Sequence, residues 1–243
     1  MGNTRALPSL GVGCCIVFHV AYSSIAQVRI KSFIFSPFSV NTYVLSDEVS
    51  GAAIIVDCAC TTDLERGRLF EYLESEHLNV LYAFNTHLHF DHVLGNRWLY
   101  SRFNVKPLAH YLDEYCIEWN LATSVFLPLS LQQRDELSFS DYLWINGNQS
   151  LTIGDDVFSI IHLPGHTPGS CSLYCERKRI LIDGDVLFKN TIGRTDLEMG
   201  DDKKMKESLS SLMSLPEDTL VLPGHGESTT ISNEKGLIRI ILQ

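Results

Sequence analysis

The chain has 243 residues, of which 45% are hydrophobic and 20% charged, and a formal net charge of −10. That length supports one large domain with a sizeable core and needs no disulfide staples. The acidic balance, with no basic cluster beyond the short run Arg177-Lys178-Arg179, excludes a protein that coats nucleic-acid phosphates.

The first stretch stands apart. Leu10 to Tyr22 is mostly apolar, with Arg5 ahead of it and Ser24-Ile25-Ala26 behind. This suits a signal peptide with small residues at its cleavage point, or a mis-assigned start. The run is too short to span a membrane comfortably, and His19 interrupts it. Residues 1–27 are read as an N-terminal extension and residues 28–243 as the folded domain.

From Val28 onward, short apolar runs separated by turns predict strands at Val28 to Phe35, Thr42 to Leu45 and Ala52 to Val56. Thr62-Asp63 predicts a capped helix running to Glu76, with Leu64, Leu69, Phe70, Tyr72 and Leu73 on its apolar face. Val80 to Phe84 reads as a buried strand, 91–100 as a short helix, Val105 to His110 as a strand and 111–123 as a helix. Residues 124–145 have no clean period and include Pro128, which predicts a variable insertion or lid. Strands follow near Gln149–Ile153, Val157–Leu163, Ser170–Cys175 and Arg179–Ile182, with Arg177 to Arg179 in a hairpin turn. A helix over Asp201–Leu212, a strand over Thr219–Leu222 and an apolar tail over Lys235–Ile241 that packs rather than dangles complete the chain. Strands alternating with a helix, done twice, predict an α/β fold with helices outside and two sheets within.

Seven cysteines show no regular framework, and neither Cys58-x-Cys60 nor Cys171-x-x-x-Cys175 has zinc-ribbon spacing. They are read as free thiols of a reducing compartment, so a cytoplasmic location is expected; export is the alternative if residues 1–26 are a true signal peptide.

The chemistry-bearing signal is Thr86-His87-Leu88-His89-Phe90-Asp91-His92. It places four metal-ligand side chains in six positions, in a chain with nine histidines. His87 and His89, two apart, share one side of an extended backbone, while Asp91 and His92 turn toward a second point. A two-metal site needs such a split. Three further segments each follow a strand: Pro164-Gly165-His166-Thr167-Pro168-Gly169, Asp183-Gly184-Asp185, and Pro223-Gly224-His225-Gly226. Each alone is an ordinary turn; together and in this order they supply His166, Asp185 and His225 as further candidates.

These segments resemble the metallo-β-lactamase superfamily, whose pattern is Thr-His-x-His-x-Asp-His, then a downstream His, an Asp and a His; the match spans roughly residues 28–234. The resemblance implies an αββα four-layer sandwich with the metals at one edge of the paired sheets. It implies that His87, His89 and His166 bind a first metal, that Asp91, His92 and His225 bind a second, and that Asp185 bridges them, with Asp91 also orienting the attacking water. Two Zn2+ are expected, or Fe or Mn in one or both positions. The residues after His166 are similar to glyoxalase II-type hydrolases, and the segment Gly193-Arg194-Thr195-Asp196 is similar to their small, single-domain members and to persulfide dioxygenases. Arg194 and Asp196 are expected to pair and brace the loop after Asp185, with contact between Arg194 and a substrate anion as the alternative.

The function so implied is hydrolysis of an ester, thioester or lactone, with a hydroxyacylglutathione-type thioester among the substrates. A mononuclear-iron persulfide dioxygenase is the alternative, and a non-enzymatic metal-binding module the third reading. Two departures stand out. Asp57-Cys58-Ala59 replaces the Asp-Pro-Gly of many relatives, leaving Asp57 as an acceptor for a ligand histidine. The helical domain by which glyoxalase II grips glutathione is expected to be missing after Glu234, which sets a glutathione thioester apart from the other candidate substrates. Cys58 is read as core rather than nucleophile, since it lies in an apolar run without an activating base. The expected partner is a small-molecule substrate, with neither nucleic acid nor membrane, and the sequence does not fix the oligomeric state.

Overall fold

The computed structural model describes residues 28–35 and 37–243. The expected extension over residues 1–27, with the location that depends on it, lies outside the described residues. Among the described residues no helix is long and apolar enough to cross a membrane.

One six-stranded sheet contains β1 (Val28–Phe35), β2 (Val40–Asp47), β3 (Ala52–Val56), β4 (Asn79–Phe84), β5 (Pro107–His110) and β6 (Leu143–Ile145), in that spatial order. The pairs from β1 to β3 are antiparallel and those from β3 to β6 parallel. Parallel neighbours need crossovers. These are α1 (Asp63–Ser75), then α2 (Phe90–Val93) with α3 (Asn96–Phe103), then α4 (Tyr115–Thr123) with α5 (Leu131–Glu136).

The second sheet begins with β7 (Ser150–Ile153), β8 (Asp156–His162), β9 (Cys171–Cys175) and β10 (Ile180–Gly184). A small hairpin, β11 (Leu187–Phe188) with β12 (Thr191–Ile192), stands apart. The chain then crosses through α6 (Asp202–Leu212) to β13 (Leu220–Pro223), which lies parallel to β10, and ends in β14 (Thr229–Thr230) and α7 (Ile231–Ile241). From edge to edge the sheet runs β7-β8-β9-β10-β13-β14.

The layers follow from side-chain alternation. In β3, Ile54 and Val56 point into the core between the sheets, against Leu151, Ile153, Phe158 and Leu173. Ala53 and Ile55 point outward into the cluster with Leu69 and Leu73 of α1 and Leu99 of α3. Both faces of the strand are covered, which is why Ala52 to Val56 reads as a continuous apolar run. On the far side, Leu181 and Val221 pack against Met205, Leu209 and Leu212 of α6 and Ile231 and Ile238 of α7. Each fully buried Leu or Ile contributes about 1.5–3 kcal/mol to this packing. The result is the expected αββα sandwich.

The same topology brings the candidate residues to one edge. β8 is antiparallel to β9, and β9 to β10, so β8 runs parallel to β10. The carboxyl ends of β8, β10 and β13 therefore share one rim, and those of β3 and β4 share another above it. The loops carrying Asp57, His87 to His92, His166, Asp185 and His225 all leave from these ends.

Several expectations are corrected. Residues 124–145 are not one unpatterned insertion: they form a 3-10 turn at Ser124–Phe126, the helix α5 with a Ser130/Gln133 capping box, and β6, the sixth strand of the first sheet. Elements of three to six residues are too short to display a period. α1 does have the expected Thr62 cap, reciprocated by Glu65. Of its expected apolar face, however, only Leu69 and Leu73 are buried, Phe70 and Tyr72 are half-buried, and Leu64 is 76% exposed. Leu64 precedes Leu69 by five residues, which turns it well away from the sheet. The tail packs as expected, and does so as a helix capped by Thr230. Among the described residues, Cys58, Cys60, Cys116, Cys171 and Cys175 are buried free thiols.

Candidate metal centre

β4 ends at Phe84, and the next residues turn across the rim. Thr86 and His87 are buried, His89 is extended (φ −63°, ψ 148°) at the start of α2, and Asp91 and His92 lie in that helix. His166 comes from the turn after β8, Asp185 from the end of β10 and His225 from the turn after β13. The structure brings all seven candidate residues together. Three groups have their candidate ligand atoms within 4.8 Å of one another: His87, His89 and His166; Asp91, His92 and His225; and His87, His92 and Asp185. The first two are the ligand sets that the resemblance implies. Oδ1 of Asp185 lies 3.5 Å from Nε2 of His92, and Oδ2 lies 3.5 Å from Nε2 of His166 and 3.6 Å from Nε2 of His225, which places this carboxylate between the sets.

Hydrogen bonds fix the imidazoles so that one nitrogen faces the centre. The Asp57 carboxylate accepts from the Thr86 amide (2.8 Å) and the Thr86 hydroxyl (2.7 Å), and lies 3.0 Å from Nδ1 of His92. Because the Thr86 hydroxyl donates to Asp57, its contact with Nδ1 of His87 (3.1 Å) requires the imidazole N–H to donate. Nε2 of His87 is then a bare lone pair. Nδ1 of His166 donates in the same way to the Arg194 carbonyl (2.8 Å). Such outer partners set the tautomer of a metal-binding histidine. The bare Nε2 of His87 and Oδ1 of Asp185 are buried without a hydrogen-bond partner. Most buried polar atoms in folded proteins are paired, and a lone pair beside a carboxylate oxygen is a donor set that fits a divalent cation.

The electrostatics divide the centre. Burial, followed by the neighbouring imidazole of His92, pushes His87 well below the usual histidine range. Burial and then His166 lower His89 to about 3, and burial lowers His166. All three are therefore neutral, the form that binds metal. On the other side burial opposes charge and loses. It would lower His92, but Asp185, Asp91 and Asp57 raise it well above the usual range; His225 is raised by its hydrogen bond to Asp91 and by Asp185. Burial would raise Asp91 and Asp185, yet His92 holds both below the usual carboxylate range.

A cavity of about 350 Å3 opens onto the cluster, with Trp119, Leu127 and Leu197 on its wall beside His89, Asp91 and Arg194. Arg194 pairs with Asp196 at 2.9 and 3.0 Å, as the sequence predicts. Sequence reading missed the residues that hold the loops from afar. Asn41 donates to the carbonyls of Pro223 (3.0 Å) and Gly226 (2.9 Å), and the Tyr43 hydroxyl donates to Pro223 (2.8 Å), which anchors the His225 turn. Asp113 accepts from the Leu88 and Gly169 amides and the Thr167 hydroxyl, and burial raises its carboxyl to about 6. No local motif signals any of these.

Comparison with known proteins identifies the family. The chain is 32% identical over 204 residues to the hydroxyacylglutathione hydrolase GloC of Haemophilus influenzae, covering 82% of this chain and 91% of that protein. It is 31% identical over 193 residues to the human mitochondrial persulfide dioxygenase ETHE1, covering 79% and 66%. The crystal structure of the BLEG-1 B3 metallo-β-lactamase superposes with a TM-score of 0.75 at 32% identity, covering 88% of this chain and all of that one. Residues 35–225 match the metallo-β-lactamase superfamily as a whole. With that match across most of its length and these relatives at more than 30% identity, the chain belongs to the metallo-β-lactamase superfamily.

Proposed function

We propose that residues 28–243 form a metal-dependent hydrolase that cleaves an ester, thioester or lactone. His87, His89 and His166 hold one ion, Asp91, His92 and His225 hold a second, and Asp185 lies between them. The observation that carries this reading is the convergence of five imidazoles and two carboxylates around the unpartnered Nε2 of His87 and Oδ1 of Asp185. Two Zn2+, or Fe or Mn in one or both positions, would supply hydroxide from water near neutral pH and a Lewis acid for the carbonyl oxygen.

The chain supplies the rest. Asp91 is ionised and borders the cavity, so it can accept a hydrogen bond from the attacking water and orient it. Trp119, Leu127 and Leu197 offer an apolar wall to the substrate beside it. Among substrates, the similarity to GloC supports a thioester of the hydroxyacylglutathione kind. A thioester panel led by S-lactoylglutathione, run on zinc-loaded protein, tests this. Turnover that rises with metal content supports the hydrolase, and inertness across esters, thioesters and lactones overturns it.

A second reading has its own support. His87, His92 and Asp185 form a two-histidine, one-carboxylate group, the ligand composition of mononuclear iron oxygenases, and ETHE1 is among the relatives. Oxygen consumption by iron-loaded protein given a persulfide, without thioester turnover, would favour the dioxygenase.

A further inference from the structure

We infer that Asp113 is a positioning residue for the metal centre, and that it locks the loop carrying His87 and His89 to the loop carrying His166. The inference rests on the metal-centre reading above. Asp113 is fully buried at the end of the 3-10 turn Tyr111–Asp113, which follows β5, and it belongs to none of the three ligand groups.

Its two oxygens divide between the loops. Oδ1 accepts from the Gly169 amide at 2.6 Å. Oδ2 accepts from the Thr167 hydroxyl at 2.9 Å and from the Leu88 amide at 3.2 Å. Leu88 sits between His87 and His89, and its carbonyl accepts from Nδ2 of Asn120 at 2.8 Å. The amide and carbonyl of Leu88 are thus gripped from one segment, residues 113–120. Because peptide units are rigid planes, this fixes the directions in which His87 and His89 leave the backbone. Thr167 directly follows His166 and Gly169 lies two residues further on, so the same carboxylate fixes that turn.

The packing leaves no slack. A Cβ on Gly169 would lie 2.6 Å from Cγ of Asp113, so the glycine of Thr167-Pro168-Gly169 is the space into which the carboxylate fits. Nδ1 of His89 and Nε2 of His166, one from each loop, approach to 2.8 Å. Metal–ligand distances tolerate only about 0.2 Å, so slippage between the two loops by even a fraction of an ångström removes ligands from one ion. The other set has no bond to Asp113: His92 rests on Asp57, which also reaches His87 through Thr86, and the His225 turn rests on Asn41 and Tyr43. Loss of Asp113 should therefore weaken one metal position and spare the other.

Zn2+ binding to wild type, Asp113→Asn and Thr167→Val, measured by competition with a chromophoric chelator and checked by elemental analysis, tests this. Circular dichroism establishes that each protein is folded. Wild type should hold two equivalents. Asp113→Asn should hold one with wild-type affinity and the other at least about tenfold more weakly. Thr167→Val, which removes one of the three bonds, should weaken the same equivalent by less. Merely structural damage would lower thermal stability without separating the equivalents. Folded Asp113→Asn that binds both equivalents as wild type does, or loses both in parallel, overturns the inference. If Asp113→Asn does not fold, unchanged binding of both equivalents by Thr167→Val overturns it. Wild type that holds fewer than two equivalents overturns the metal-centre reading instead.

Discussion

The Asp57 carboxylate lies 3.0 Å from Nδ1 of His92 and, through Thr86, also controls the tautomer of His87. One buried acid at the end of β3 thus orients an imidazole in each of the two ligand sets. Asp57 has a left-handed backbone (φ 50°), which Asn also tolerates, so Asp57→Asn should fold. Its amide cannot serve all three donors, and metal affinity should fall roughly 10–100-fold, the usual cost of losing such an outer partner. Chelator competition measures this; unchanged affinity would show that Asp57 does not orient the ligands.

Gly224 precedes His225, and a Cβ there would lie 2.3 Å from Oδ1 of Asp185 and 2.7 Å from Cε1 of His92. Gly224→Ala should therefore displace both ligands, with loss of bound metal and at least about a tenfold loss of turnover. Gly67, inside α1, has nothing within 4 Å of its virtual Cβ. Gly67→Ala should leave metal content unchanged and raise stability by roughly 0.5–1 kcal/mol in urea unfolding, through better helix propensity.

His110 stacks on His162, with ring centroids 4.2 Å apart and planes at 9°. Burial, then His162, lowers His110 from 6.5 to about 4. Between those values the unfolded chain takes up a proton at His110 and the folded chain does not. The contribution of this group is therefore intact above pH 6.5 and is lost progressively as pH falls toward 4. His110→Asn keeps an acceptor near the Leu112 amide that Nδ1 now accepts from. It should show a smaller fall in urea-unfolding stability between pH 7 and pH 5 than wild type does. An equal or larger fall would contradict the assignment.

All seven candidate ligands were legible in the sequence because each belongs to a short motif whose density or Gly/Pro setting is visible locally. His87 to His92 announce themselves by spacing, and His166 and His225 by the prolines and glycines around them. Strands buried on both faces, such as Ala52 to Val56, were legible as apolar runs for the same reason. What escaped acts at a distance. Asp113 reaches Gly169 across 56 positions and Asn41 reaches Gly226 across 185, and neither contact leaves a local pattern. The β11–β12 hairpin, with two residues per strand, has no period to read.

The most direct measurement of the central claim is elemental analysis of the as-purified protein, followed stepwise through chelation and Zn2+ restoration, with thioester turnover and melting temperature read at each step. Two equivalents of divalent metal are expected at the start, with loss of turnover and a lower melting temperature as they are removed, and recovery of both on restoration. His89→Ala should lose metal and turnover together. Full thioesterase activity in protein shown to be metal-free would contradict that claim.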